Sequence, residues 1–199
     1  MTKKYELTTE TKVVDGKTLY RIKALIAFRD VHAGDVGGFV ESDTNLSHDG
    51  NAWISGNAKV CDDAKVYGNA WVCGNAKVYG NAKVYDNAWV YGNAGVYGNA
   101  GVSGNAEVYG NAKVYDNAKV SGNAKVCGDA IATKAVLNVG YEMYNITATD
   151  NHLKIGCKQY TFDEWANFND GTISRMADGA LVWWKKWNPI IFAILEVKV

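Results

Sequence analysis

Histidine is scarce in this chain: there are three, His32, His48 and His152, far apart in sequence. That scarcity weighs against reactions needing a positioned imidazole base and against a three-histidine zinc centre. The four cysteines, Cys61, Cys73, Cys127 and Cys157, form no Cys-x-x-Cys pair and have no histidine pair nearby. No metal site and no cofactor is therefore expected. An excess of either charge is also missing, since 21 basic residues balance 21 acidic ones and no block of five like charges occurs. This argues against a general binder of polymeric nucleic acid. Long hydrophobic runs are absent: the longest, Pro189 to Val197, is too short to span a bilayer, so no membrane partner is expected. The opening MTKKYELTTETK contains no signal-peptide core. Reduced thiols are the simple reading of the cysteines, and the expected location is the cytoplasm.

What the chain does have is a six-residue unit, Gly-Asn-Ala-x-Val-x, repeated fourteen times without a gap from Gly50 to Thr133. The third position is Ala in all fourteen units. The second is Asn in twelve and Asp in two (Asp63, Asp129), and the fifth is Val in twelve, with Ile54 and Ala132 as exceptions. Ala and Val stand two apart, which puts both side chains on one face of a strand. Gly-Asn is turn chemistry, because both residues tolerate positive φ. Each hexad is thus a short strand and a corner. Three corners close a triangular coil, so the repeat predicts a parallel β-helix of about four and two-thirds coils, stacked at roughly 4.8 Å. Asn side chains about 18 residues apart would then bond along the rod as a ladder. The spacing leaves the hand of the coil open.

The spacing of Val60 to Ala64, Val66 to Ala70 and Val72 to Ala76 resembles the motif of hexapeptide-repeat proteins, an aliphatic residue followed four positions later by a small one. The resemblance implies an all-β solenoid, a triangular left-handed parallel β-helix. That fold hosts enzymes, filaments and inert scaffolds alike.

Residues 50–133 form the repeat, and residues 1–49 and 134–199 read as its caps. Bare coil ends would expose apolar side chains and unpaired backbone. At the front, Tyr5 to Val13 and Thr18 to Leu25 read as strands joined at Asp15-Gly16, a hairpin signal. The stretch from Ala33 to Ser47 reads as an irregular first coil, closed by Phe39 and Leu46. At the back, Tyr144 to Ile155 has strand character, and Thr161 with Glu164 forms a capping box opening a helix at Phe162 to Phe168. Helices are also expected at Ile173 to Ala177 and Ala180 to Trp187, with a restart or kink at Pro189. The apolar end, with Trp183, Trp184, Trp187, Ile191 and Phe192, is expected either to bury itself on the rod or to form an interface in a homo-oligomer, a trimer or dimer. The segment Gly34-Asp35-Val36-Gly37-Gly38-Phe39-Val40, the Asn45-Leu46-Ser47 that follows it, the Gly-Asn-Ala-Lys-Val-Tyr coils and the Trp-rich end (Glu164-Trp165, Trp183-Trp184-Lys185-Lys186) resemble hexapeptide-repeat proteins of bacteriophages and prophages. That resemblance implies a viral origin and action in the host cytoplasm.

Function must lie in the outward positions. Before Val, the first side reads Trp53, Trp71, Trp89, Glu107, Lys125; the second Lys59, Lys77, Gly95, Lys113, Ile131; the third Lys65, Lys83, Gly101, Lys119. Three stacked indoles are an apolar patch that soluble monomers rarely leave bare. Either a terminal segment or second subunit covers it, or it is a platform on which a planar ligand stacks. Gly95 and Gly101 interrupt the lysine columns, either as drift or to let a ligand or backbone approach. Without a histidine in the repeat, a hexapeptide acyltransferase lacks its base. The expectation is therefore no enzyme and no catalytic residue. Two classes remain. One is a protein that sequesters a small nucleotide-like signal of antiviral defence, bound near Trp53, Trp71, Trp89, Tyr91 and Tyr109. The other is a structural or scaffolding β-helix.

Overall fold

The computed structural model describes residues 3–141 and 143–196. Tyr5–Val14 (β1) and Lys17–Ala24 (β2) pair antiparallel. Their turn places Asp15 and Gly16 at φ 50° and 79°, the left-handed pair that matches the twist of a two-residue hairpin. Val36–Val40 (β3) pairs antiparallel with β2 on one side and parallel with Lys59–Val60 on the other. It is the strand at which the antiparallel cap becomes a parallel solenoid. A 3-10 turn at Asp43–Asn45 follows, and Leu46 bridges in parallel to Val66. Together these form the irregular first coil.

The repeat supplies fourteen two-residue strands, β4 (Trp53–Ile54) to β17 (Ile131–Ala132), six residues apart. They sort into three parallel flanks. On the first, Trp53, Trp71, Trp89, Glu107 and Lys125 lie in register. On the second, Lys59, Lys77, Gly95, Lys113 and Ile131 do so. On the third, Lys65, Lys83, Gly101 and Lys119 do so. Each coil hydrogen-bonds to the next, as in Lys77 N to Ala94 O at 2.9 Å and Tyr79 N to Val96 O at 3.0 Å. Every repeat Ala and every residue in the Val position is at most 1% exposed, and together they fill the interior. At the edges, Asn amides donate up the rod over 3.0 to 3.3 Å, as from Asn81 to Asn99 and from Asn99 to Asn117.

Both ends are closed by polar side chains in place of the missing coil. At the front, Lys4 Nζ donates to Ala52 O at 2.9 Å, and Asn45 Nδ2 donates to the carbonyls of Asp62 and Ala64. At the back, the N–H of Lys125 donates to Thr147 Oγ1, that of Ile131 to Asn151 Oδ1, and that of Thr133 to Asp150 Oδ2. Backbone groups that would otherwise be orphaned are thereby satisfied.

The C-terminal unit has its own core. Leu137–Tyr141 (β18), Tyr144–Ala148 (β19), His152–Ile155 (β20) and Lys158–Thr161 (β21) form an antiparallel meander. The strand character expected over Tyr144 to Ile155 resolves into two strands joined by a turn, in which Thr149 N–H donates to His152 O. Helix α1 (Phe162–Asn167) carries the expected capping box between Thr161 and Glu164. Helix α2 spans Asp170–Ser174, earlier than the predicted Ile173 to Ala177, because Asn169 caps it by accepting from Thr172 N. Helix α3 runs unbroken over Ala180–Glu196, through Pro189. No restart occurs at Pro189, because side chains on both sides of the proline, Trp184 and Ile191, are buried in one core with Leu153 and Trp165. Among the described residues, no helix is long and apolar enough to cross a membrane.

Candidate functional site

The first flank is covered by the chain itself. Trp53 is 2% exposed, packed edge-on against Tyr5 and Phe28. Trp71 is half-buried and its Nε1 donates to Ser55 Oγ at 3.1 Å. The Arg29 guanidinium sits 5.3 Å from the Trp71 ring and 5.8 Å from the Trp89 ring. Arg29 lies in a tight turn pinned by the Phe28–Val31 bridge, and it donates to Asn69 O. This strap leaves Trp89 43% exposed.

Farther along the same flank, polar groups pair with one another. Tyr91 and Tyr109 stack at 4.9 Å. Tyr91 donates to Glu107, which also meets Lys125 at 2.8 Å. Burial first, then the Glu107 carboxylate, pushes the Tyr91 hydroxyl up to about 12. Burial and a hydrogen bond with the Cys127 thiol push Tyr109 up as well. Cys127 donates to Gln159 Oε1 at 2.8 Å, which ties this flank to the C-terminal unit.

The third flank is different. A groove of about 570 Å³ opens there, with Gly101 as its floor between Lys83 and Lys119. Tyr85 forms a wall, Ser103 and Ser121 present hydroxyls, and Asn81 and Asn99 form the rim. A Cβ built on Gly101 would meet nothing within 4 Å, and its φ is not positive. The fold therefore does not require glycine there. By contrast, Gly98 has φ +67°, and a Cβ on it would sit 3.0 Å from the backbone of Asp116. Among the described residues, neither Lys83 nor Lys119 has a carboxylate partner. The groove thus joins two uncompensated ammonium groups, hydroxyl and amide donors and an aromatic face. This set suits a small anion with a planar part.

Trp183, Trp184 and Ile191 are buried within the C-terminal core, and Trp187 and Phe192 pack against it. Trp184 stacks on Trp165 at 5.1 Å, and Trp183 meets the Tyr144 ring edge-on at 5.0 Å. The exposed positions of α3 include Val182, Ile190 and Ile194, together with Lys185 and Lys186. Pro189, Ile190, Ala193 and Ile194 line a shallow apolar concavity of about 490 Å³. The histidines sit at opposite ends. His48 stacks on Tyr5 at 4.3 Å and accepts from Lys4 N, His32 faces Asp35, and His152 lies in β20. Glu41, Cys61 and Asp62 lie together, but the Lys17 ammonium pairs with Asp62 and burial pushes the Cys61 thiol up. The Lys17 ammonium thus offsets one of the corner's two carboxylate charges. All four cysteines are free thiols.

Sequence reading placed the ligand near the indoles and left Gly95 and Gly101 as either drift or a point of approach; the groove lies at Gly101. The usable signal was an outward strand position with no side chain and no backbone need for its absence.

Stacked coils in register, an Ala/Val interior and side-chain caps define a β-solenoid repeat protein. Residues 76–92, just short of one coil, match the family model described as YdcK Beta solenoid repeat. A comparison with curated proteins found no match.

Proposed function

We propose that this β-solenoid is a non-enzymatic, phage-type binding protein of the bacterial cytoplasm that sequesters a small nucleotide-like signal of antiviral defence. We place the ligand in the third-flank groove. The observation that carries the reading is the pair of unpartnered lysines, Lys83 and Lys119, on either side of a glycine the fold does not need. In this reading the ammonium groups and the Ser103 and Ser121 hydroxyls meet phosphate, and a base stacks on Tyr85. The groove is preformed on a rigid stack of coils, so little ordering opposes binding. No group transfer is needed to withhold a signal. The exposed apolar end of α3, with Pro189, Ile190, Ala193 and Ile194, supports a homo-oligomer, a dimer or trimer.

The test is calorimetric titration with a panel of cyclic and ADP-ribose-type nucleotides. Stoichiometric binding of one member is expected, and Gly101→Lys is expected to weaken it at least a hundredfold by filling the floor. Silence across the panel would remove this reading in favour of a structural β-helix.

A further inference from the structure

We infer that the site crosses the solenoid edge at Gly98-Asn99 onto the second flank, and that its ligand carries two separated anionic groups. This rests on the groove reading above and extends it. On the second flank Gly95 lies in register between Lys77 and Lys113, as Gly101 does between Lys83 and Lys119 on the third. The two glycines stand six residues apart in one coil, on either side of one edge. Gly95, like Gly101, is not required by the backbone: its φ is not positive, and an added Cβ would meet only the Tyr97 ring at 3.5 Å, an ordinary contact.

Charge points the same way. Among the described residues, Lys77 and Lys113 also lack carboxylate partners. The acids on this edge are corner aspartates: Asp62, engaged by the Gly80 N–H at 2.8 Å, and Asp116, one coil beyond Gly98. Like charges crowd this flank: after burial, Lys12 and Lys77 lower the pKa of Lys59. Between the two basic seats the edge is rigid, railed by the Asn81–Asn99–Asn117 bonds. On the second flank Tyr97 is fixed by stacking between Tyr79 and Tyr115 at 4.7 and 4.9 Å. Within each seat the two lysines stand two coils apart, roughly 10 Å at the backbone. A single phosphate fills one seat. A molecule with two phosphates held apart by an organic framework fills both. The groove at Gly101 and the lysine pair flanking Gly95 lie side by side across the rod, not along it, which suits a compact ligand over a polymer that needs a continuous track.

The experiment is calorimetry with a cyclic dinucleotide, which has two phosphodiesters, and a cyclic mononucleotide, which has one. The natural chain is expected to bind the dinucleotide at least tenfold more tightly. Gly95→Lys restores the repeat's own residue and is expected to reduce dinucleotide affinity to the mononucleotide level. Lys77→Ala combined with Lys113→Ala, which adds no bulk, is expected to give the same loss. Undiminished dinucleotide binding by both variants overturns the second seat and leaves the groove standing. Unchanged binding of both ligands by Gly101→Lys, or no binding by the natural chain, overturns the groove and the second seat together. Tighter binding of a single-stranded oligonucleotide than of either ligand overturns the compact-ligand assignment.

Discussion

Three corners carry aspartate where the other eleven units carry glycine. Asp62, Asp86 and Asp116 hold φ between 56° and 59°, a region costly for a residue with a Cβ. Two of them recover something for it: Asp62 Oδ2 accepts from Gly80 N–H at 2.8 Å, and Asp86 Oδ2 from Gly104 N–H at 3.1 Å, one coil on. Asp86→Ala keeps the strained φ and loses the bond, so it is expected to destabilise by about 1–2 kcal/mol in urea unfolding, whereas Asp86→Gly costs less than half as much. Lys4 makes a second residue-scale point. Its buried ammonium donates to corner carbonyls, and burial lowers its pKa from 10.5 to about 8. The fold therefore carries a cost for the charged amine below about pH 8. That cost is relieved as pH rises, because the unfolded chain then holds the extra proton. The Lys4 contribution to stability is expected to rise between about pH 8 and 10, on the order of 2 kcal/mol, opposed above pH 9 by Cys61 and Cys73, whose thiols burial pushes up. Above pH 10 the protonated Tyr5 hydroxyl opposes this trend, since burial raises its pKa and its contribution falls as pH climbs. Lys4→Met should flatten the slope below pH 10 in thermal melts; an unaltered slope would assign it to another group.

At the scale of elements, legibility followed locality. The six-residue units of strand and corner were readable because Ala, Val, Gly and Asn each answer a local demand, of interior volume or of φ. The capping box at Thr161 and Glu164 was readable for the same reason. Helix α3 was not, because its continuity through Pro189 is decided by tertiary contacts of Trp184 and Ile191. The cover over the Trp column also lay beyond local reasoning, since Phe28 and Arg29 reach it from the N-terminal cap. The groove was half legible: the missing side chain at Gly101 showed in the repeat, but the missing backbone reason for it needed coordinates. Pro189 lies inside a packed helix without an N–H, so Pro189→Ala is expected to add about 1–2 kcal/mol, read as a higher urea midpoint. A lower midpoint would mean that the proline is set by packing around α3.

Across the whole molecule, one core runs through the solenoid and N-terminal hairpin, and a second lies within the C-terminal unit. Both solenoid ends are terminated by polar side chains together with cap backbone. Removing residues 1–49 would take away Lys4, Asn45 and the apolar cover over Trp53. That truncation is expected to aggregate, with light scattering rising with concentration, because it exposes an open parallel edge. A monodisperse truncated chain would show that the repeat caps itself.

The central claim is that glycine 101 is present for a ligand and not for the fold. Thermal unfolding of Gly101→Lys, with and without the nucleotide that binds the natural chain, tests both halves at once. A melting point equal to or above that of the natural chain is expected, since lysine replaces glycine in an open strand position. The ligand-induced rise seen in the natural chain is also expected to disappear. A lower melting point, or a ligand shift that survives the substitution, would contradict that claim.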